Sequence, residues 1–175
     1  MSRIYRMLLE VERPLFLYVN IRWHHFTLNW LFRILSLLGG ASFTLVCSLA
    51  VGLFAPEPWS RVGWQALAAV VLSHVPVAIA KRSAPRLRPH QIFPHVRTGR
   101  NPLRDPSFPS GHTTAAFAMM TPWMLAAPVL IPALLPVAFG VALSRVYFGL
   151  HFPSDTAAGA LLGSMTALIV KLWIL

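Results

Sequence analysis

The sequence predicts an all-α, polytopic membrane helix bundle of about five spans, preceded by an N-terminal interfacial helix. Three observations carry that expectation. The 175-residue chain is 56% hydrophobic, with a mean hydropathy of +0.62. Only 11% of its residues are charged, against roughly 25% in an average soluble domain. Its uncharged runs are long enough to cross a hydrocarbon core, for which about 20 apolar residues suffice.

In residues 1–30, Arg3, Arg6, Glu10, Glu12, Arg13 and Arg22 alternate with Leu8, Leu9, Val11, Leu15, Phe16, Leu17 and Val19. That pattern predicts an amphipathic helix lying in the interface and broken near Pro14. The same charges interrupt any apolar core, so a cleavable signal peptide is not expected. Residues 34–56 carry no charge and predict a first span; residues 62–80, bracketed by Arg61 and Lys81, predict a second. Residues 113–144 are also uncharged. As one straight helix they would reach about 48 Å, well beyond a core of about 30 Å. A hairpin of two short helices fits better, with Pro128 and Pro132 at the turn. A last span runs from about 155 to 174, with Ser154 or Asp155 as its N-cap. Residues 82–109, rich in Pro and Arg, form the one long polar segment and predict a loop over a pocket mouth. Residues 1–175 thus read as a single membrane-embedded domain.

Three polar clusters break the apolar pattern. Lys81 is followed by Arg88-Pro89, then comes Pro109-Ser110-Gly111-His112, then Ser144-Arg145 with His151 and Asp155 downstream. Ionisable groups beside membrane spans are costly and read as functional by default. Parity brings them together. The second span ends at Lys81 and the third begins near His112; the hairpin returns Arg145 to that same face, where the last span starts beside His151 and Asp155. The hairpin is therefore a requirement of a single site.

Each cluster suggests a chemistry. With Asp155 one turn beyond His151, the carboxylate can take a hydrogen bond from the imidazole and fix its tautomer, leaving the other nitrogen free to attack phosphorus. An Asp serving only as a cap beside a packed His is the competing reading. Ser110-Gly111-His112 opens a helix whose free N–H groups suit a phosphate, with Ser110 offering a hydroxyl and Gly111 letting backbone approach a ligand. There His112 can protonate a leaving oxygen and later activate water; a plain Ser cap is the alternative. Lys81 and Arg88 can grip non-bridging oxygens, although cations beside a span also arise from topology alone.

Taken in order, Lys-x6-Arg-Pro, Pro-Ser-Gly-His and Ser-Arg-x5-His-x3-Asp resemble the type 2 phosphatidic acid phosphatase superfamily, which also includes glucose-6-phosphatases and vanadium haloperoxidases. The likeness covers roughly residues 81–159, Gly159 included. It implies an all-helical core and metal-independent chemistry through a phosphohistidine, with no cofactor. His151 would be the nucleophile, Asp155 its orienter and His112 the general acid/base. Lys81, Arg88, Ser110, Gly111 and Arg145 would hold the phosphate. In its brevity the chain is similar to the short bacterial undecaprenyl-pyrophosphate and phosphatidylglycerophosphate phosphatase types. That implies a lipid phosphatase of a bacterial cytoplasmic membrane with its site on the outer face.

The remaining features are assigned less. The balance of 15 Lys+Arg against 5 Asp+Glu points to anionic lipid or a phosphorylated substrate rather than nucleic acid, since the apolar runs leave no soluble surface. His74 and Pro76 read as packing or a kink in the second span. His24, His25, His90 and His95 have no ligand partners at metal spacing, so no metal site is expected. Asp105 with Arg104 reads as a loop ion pair, and Cys47 as a core residue. A lipid phosphotransferase and a non-enzymatic anion-binding transporter are the alternative functions.

Overall fold

The computed structural model describes residues 3–98 and 103–173, with side chains from residue 7 onward. The side chains of Arg3 and Arg6, and residues 99–102 of the polar segment, lie outside the described residues. Among the described residues there is no strand. The helices are α1 (Arg3–Leu17), α2 (Phe26–Leu38), α3 (Ala41–Phe54), α4 (Trp59–Ser83), the single turn α5 (Pro89–Ile92), α6 (Gly111–Ala126), α7 (Ile131–Tyr147) and α8 (Pro153–Trp173). A π-helical turn, Tyr18–Arg22, follows α1, and a 3₁₀ turn, Pro128–Leu130, joins α6 to α7.

The chain is an integral membrane protein. α4, the 3₁₀ turn with α7, and α8 are each long and apolar enough to cross a bilayer, and α2 with α3 passes as a pair bent by 55°. Among the described residues that makes three spans, or four with the bent pair, where the sequence predicted five. The fifth, α6, has 16 residues, about 24 Å of helix.

α6 lies at the centre, packed by α4 and α8, and its small residues explain why. Thr113, Thr114, Ala115, Ala116 and Ala118 are all fully buried. A Cβ added to Gly159 of α8 would stand 2.7 Å from the Ser110 carbonyl oxygen, and one on Gly163 would stand 2.8 Å from the Ala118 nitrogen. Small residues on both helices thus let the backbones approach closely, as membrane helix pairs require.

Three expectations need correction. α1 is not broken at Pro14 but runs through it to Leu17. It is anchored by Phe16, whose ring packs 5.4 Å from that of Phe152 and 6.3 Å from that of Phe93. The first span is not straight: it bends at Gly39-Gly40, where a Cβ on Gly39 would meet Val141 and the His112 carbonyl. α4 carries Pro76 inside a single helix, which leaves the expected packing or kink there standing. Finally, neither Ser154 nor Asp155 caps α8, because Pro153 is already its first residue. Asp155 instead reaches back from the first turn, and its Oδ2 accepts the Phe152 N–H at 2.8 Å. The proline hairpin holds, with Pro128 opening the 3₁₀ turn and Pro132 in the first turn of α7.

The end of α7 sets up the site. Gly149 takes φ +66, a left-handed conformation that glycine adopts without a Cβ penalty. The N–H groups of Leu150 and His151 then both return to the Arg145 carbonyl, at 3.0 and 3.2 Å. This turn fixes the five-residue interval between Arg145 and His151.

Candidate active site

One cavity of about 440 Å³ collects the polar clusters at a single end of the bundle. Lys81 and His74 of α4, Arg88 and Asp105 of the long loop, Gly111 and His112 of α6, Arg145 of α7 and His151 line it. Gly39, Ala41, Val77, Ala78 and Leu103 add an apolar lining. Lys81, Arg88, Gly111, His112, Arg145 and His151 are thus brought together from three helices and two loops. Ser110 is not among them. It is fully buried, and its hydroxyl caps α6 by accepting from the Thr113 hydroxyl at 3.0 Å and, more weakly, the Thr113 N–H at 3.5 Å.

The geometry of His151 fixes its tautomer. Its Nδ1 lies 2.7 Å from the Ser107 carbonyl oxygen, which can only accept, so Nδ1 carries the proton. Nε2 then keeps its lone pair and lies 3.3 Å from an Arg88 Nη1 donor. Asp155 is not the hydrogen-bond partner that the spacing suggested. Its Oδ2 stands 3.7 Å from Nδ1, an electrostatic neighbour beyond hydrogen-bond range. Burial, with Arg145 and Arg88 nearby, lowers the His151 pKa to about 4 against the pull of Asp155. The ring is therefore neutral at neutral pH.

The cations are differently engaged. Arg88, only 1% exposed, donates to the Asp105 carboxylate, the Asp105 carbonyl and the Leu150 carbonyl, each at 2.8 Å. Asp105 also pairs with Lys81. It is thus no loop ion pair with Arg104 but an anion lying across two cavity cations. Burial works against its ionisation, but Lys81 and Arg88 outweigh that and hold its carboxyl below the usual range. Arg145 donates one Nη1 bond to the Ser36 hydroxyl at 2.5 Å. Its buried Nε has no partner among the described residues, a donor left for an anion.

Behind His151 lies a network that the sequence reading missed. Arg86 donates to Asp155 Oδ1 at 2.8 Å and to the Ser154 hydroxyl at 2.7 Å, and pairs with Glu12 of α1. Glu12 accepts the Ser154 hydroxyl at 2.6 Å and its N–H at 3.2 Å. A signal was present: the chain has only 5 acidic residues, and Glu12, Asp105 and Asp155 are all spent on site arginines.

No group of three or more His, Cys, Asp or Glu among the described residues is placed to hold a metal ion. A family model described as the PAP2 superfamily matches residues 62–175. The chain is 36% identical over 92 residues to the bacitracin transport permease protein BcrC of Bacillus licheniformis, a match covering 47% of this chain and 41% of that protein. It is 35% identical over 128 residues to the decaprenylphosphoryl-5-phosphoribose phosphatase of Mycolicibacterium smegmatis, covering 73% and 68%. The chain thus spans less than half of the first relative and about two thirds of the second. Among solved structures it resembles Aquifex aeolicus LpxE, with a TM-score of 0.83 at 27% identity over 93% of this chain and 96% of that one.

Proposed function

This chain belongs to the PAP2 superfamily, and from that premise we propose that it is a membrane lipid phosphatase acting through a phosphohistidine. The observation that carries this reading is His151, whose unprotonated Nε2 is aimed at a cavity edged by Lys81, Arg88 and Arg145. The lipid phosphate sits among those cations and against the first turn of α6. Nε2 attacks phosphorus, the bond from phosphorus to the lipid-side oxygen breaks, and His112 donates its proton to that oxygen. His112 then takes a proton from water; the hydroxide attacks the phosphohistidine, the P–N bond breaks, and phosphate leaves with His151 neutral again. Asp155 stabilises the charge that develops on the ring. The positive charge of three side chains replaces a metal, so EDTA leaves the rate unchanged.

The substrate class is a phosphomonoester or diphosphate on a lipid. The apolar lining of Gly39, Ala41, Val77, Ala78 and Leu103 supports a tail entering sideways from the bilayer. The mycobacterial relative, named for a polyprenyl-linked phosphate, supports the same class. The topology proposed is five crossings: the bent pair α2–α3, then α4, α6, α7 and α8, with α1 at the interface, all in one domain. The site faces outward from a bacterial cytoplasmic membrane. Labelling a cysteine introduced beside the cavity mouth with an impermeant reagent in intact cells tests that side.

The central experiment is phosphate release in detergent from undecaprenyl pyrophosphate, phosphatidylglycerophosphate and phosphatidic acid. One of them should turn over, and His151→Ala should abolish it in folded protein. Full activity of that variant would remove His151 as nucleophile. The likeness to BcrC, a bacitracin transport permease protein, favours a second reading, a non-enzymatic anion-binding transporter. Sustained release of phosphate from the lipid excludes it, and lipid binding without release would support it.

A further inference from the structure

The network behind His151 is built more elaborately than a helix staple needs. Arg86 is 8% exposed and Glu12 6%, and Asp155 is fully buried. The Arg86 guanidinium also lies 4.3 Å above the Phe152 ring, next in the chain to His151. Each Asp155 oxygen is separately committed: Oδ1 to Arg86, Oδ2 to the Phe152 N–H and the His151 ring edge. Without Arg86 the carboxylate could rotate about its own axis, since one N–H alone does not fix a planar group.

Resting on the phosphatase reading, we infer that Arg86 and Glu12 are positioning residues for the reaction. Arg86 fixes the plane of the Asp155 carboxylate beside His151, and Glu12 of α1 holds Arg86 in place. The relay is Glu12 to Arg86 to Asp155 to His151, with Ser154 bridging the first two through its hydroxyl. Its chemical logic is charge compensation. The imidazole gains a positive charge when Nε2 bonds to phosphorus, and the carboxylate must be there to meet it. Arg86 keeps that carboxylate oriented, while Glu12 offsets the cation so that the pair does not over-stabilise the neutral ring. The N-terminal helix is then a working part of the active site.

A purely structural role and a positioning role differ in sign. Arg86→Gln leaves Asp155 uncompensated, so the Asp155–His151 pair keeps a proton to higher pH. The acid limb of kcat/KM rises by about one pH unit, the low end of such charge effects, and kcat falls by about tenfold or more at near-constant KM. Glu12→Gln removes the opposite charge, so its acid limb stays or moves down. Arg86→Lys keeps the charge but cannot span three oxygens, so the limb stays while kcat still falls. From other elements the pair is faced by Arg88 and Asp105 of the loop, Arg145 of α7, His112 of α6 and Lys81 of α4, all unchanged in these variants.

The experiment is a pH–rate series on the full-length protein in detergent, run beside His151→Ala. The His151 ring ¹⁵N shift in histidine-labelled protein is titrated in parallel and reads the same displacement without turnover. Limbs that move together in Arg86→Gln and Glu12→Gln, or an Arg86→Lys variant with wild-type kcat, would overturn the inference. Should Arg86→Gln fail to fold, Arg86→Lys and Glu12→Gln decide it alone. A wild-type protein that releases no phosphate sinks the functional reading instead, and the ring titration still tests the relay.

Discussion

Replacing Asp105 by Asn should make the enzyme bind phosphate more tightly. Asp105 lies across Lys81 and Arg88, the cations proposed to grip the substrate, so on that proposal a phosphate displaces its carboxylate first. The size of the effect follows from exposure. The Asp105 side chain is 46% exposed and Lys81 23%, whereas Arg88 is buried. Exposed ion pairs contribute about 0–1 kcal/mol, so two pairs with one buried partner come to about 1 kcal/mol after screening. That is about fivefold in affinity. Asn keeps the shape of the side chain, and the Arg88 bond to the Asp105 backbone carbonyl survives, so the guanidinium stays in place. Because Lys81 and Arg88 hold the Asp105 carboxyl below the usual range, the competition persists at every pH where the enzyme works. The assay measures KM for a short-chain lipid phosphomonoester and the inhibition constant of inorganic phosphate, which has no tail. Both should fall by about fivefold, with kcat changed by less than about twofold. A rise in either constant would show that Asp105 organises the cations rather than competing for them.

Three further outcomes are expected. A Cβ on Gly111 would meet nothing within 4 Å and would project into the cavity. Gly111→Ala should therefore leave thermal unfolding in detergent unchanged while raising KM about tenfold. Gly163→Ala is the reverse case, since its Cβ would press on the Thr114 carbonyl and the Ala118 nitrogen. It should cost about 1–3 kcal/mol of stability, read as a lowered unfolding temperature with KM preserved in the fraction that folds. The third outcome is pH dependence. The folded-state His151 pKa of about 4 lies below its ordinary 6.5. The unfolded chain thus binds a proton, between those values, that the folded chain refuses. Stability is full above pH 6.5 and declines as pH falls toward 4. kcat/KM should hold from neutrality to about pH 5 and fall below that as the ring protonates; a midpoint near 6.5 would mean that the ring is solvated.

Much of this fold was legible because a bilayer allows few solutions. The uncharged runs ending in Lys81 and Arg145 gave the helices, and the length of residues 113–144 demanded the proline hairpin that the structure contains. Lys81, Arg88, Gly111, His112, Arg145 and His151 line one cavity, the meeting that the order of the clusters along the chain called for. What failed was local. The Gly39-Gly40 bend depends on Val141, a hundred residues away, and no run of hydropathy registers it. The spacing from His151 to Asp155 is right for a hydrogen bond, but the imidazole proton goes to a backbone carbonyl at Ser107, which has no side-chain signature. Ser110 was read as a phosphate ligand or a plain cap, and its hydroxyl accepts from the first turn of the helix that it opens. Glu12 and Arg86 were read as interface and loop charges, for nothing short of tertiary structure pairs residues 74 positions apart.

The bend at Gly39 ties entry to chemistry. A Cβ there would stand 2.9 Å from the His112 carbonyl oxygen, and Gly39 itself lines the cavity. Adding bulk there would push directly on Val141 and on the turn that carries His112, the residue proposed as proton donor. Tuning for tail size must therefore happen elsewhere on the doorway, at Ala41, Val77, Ala78 or Leu103, while residue 39 remains a fixed hinge-pin shared by the threshold and the reaction.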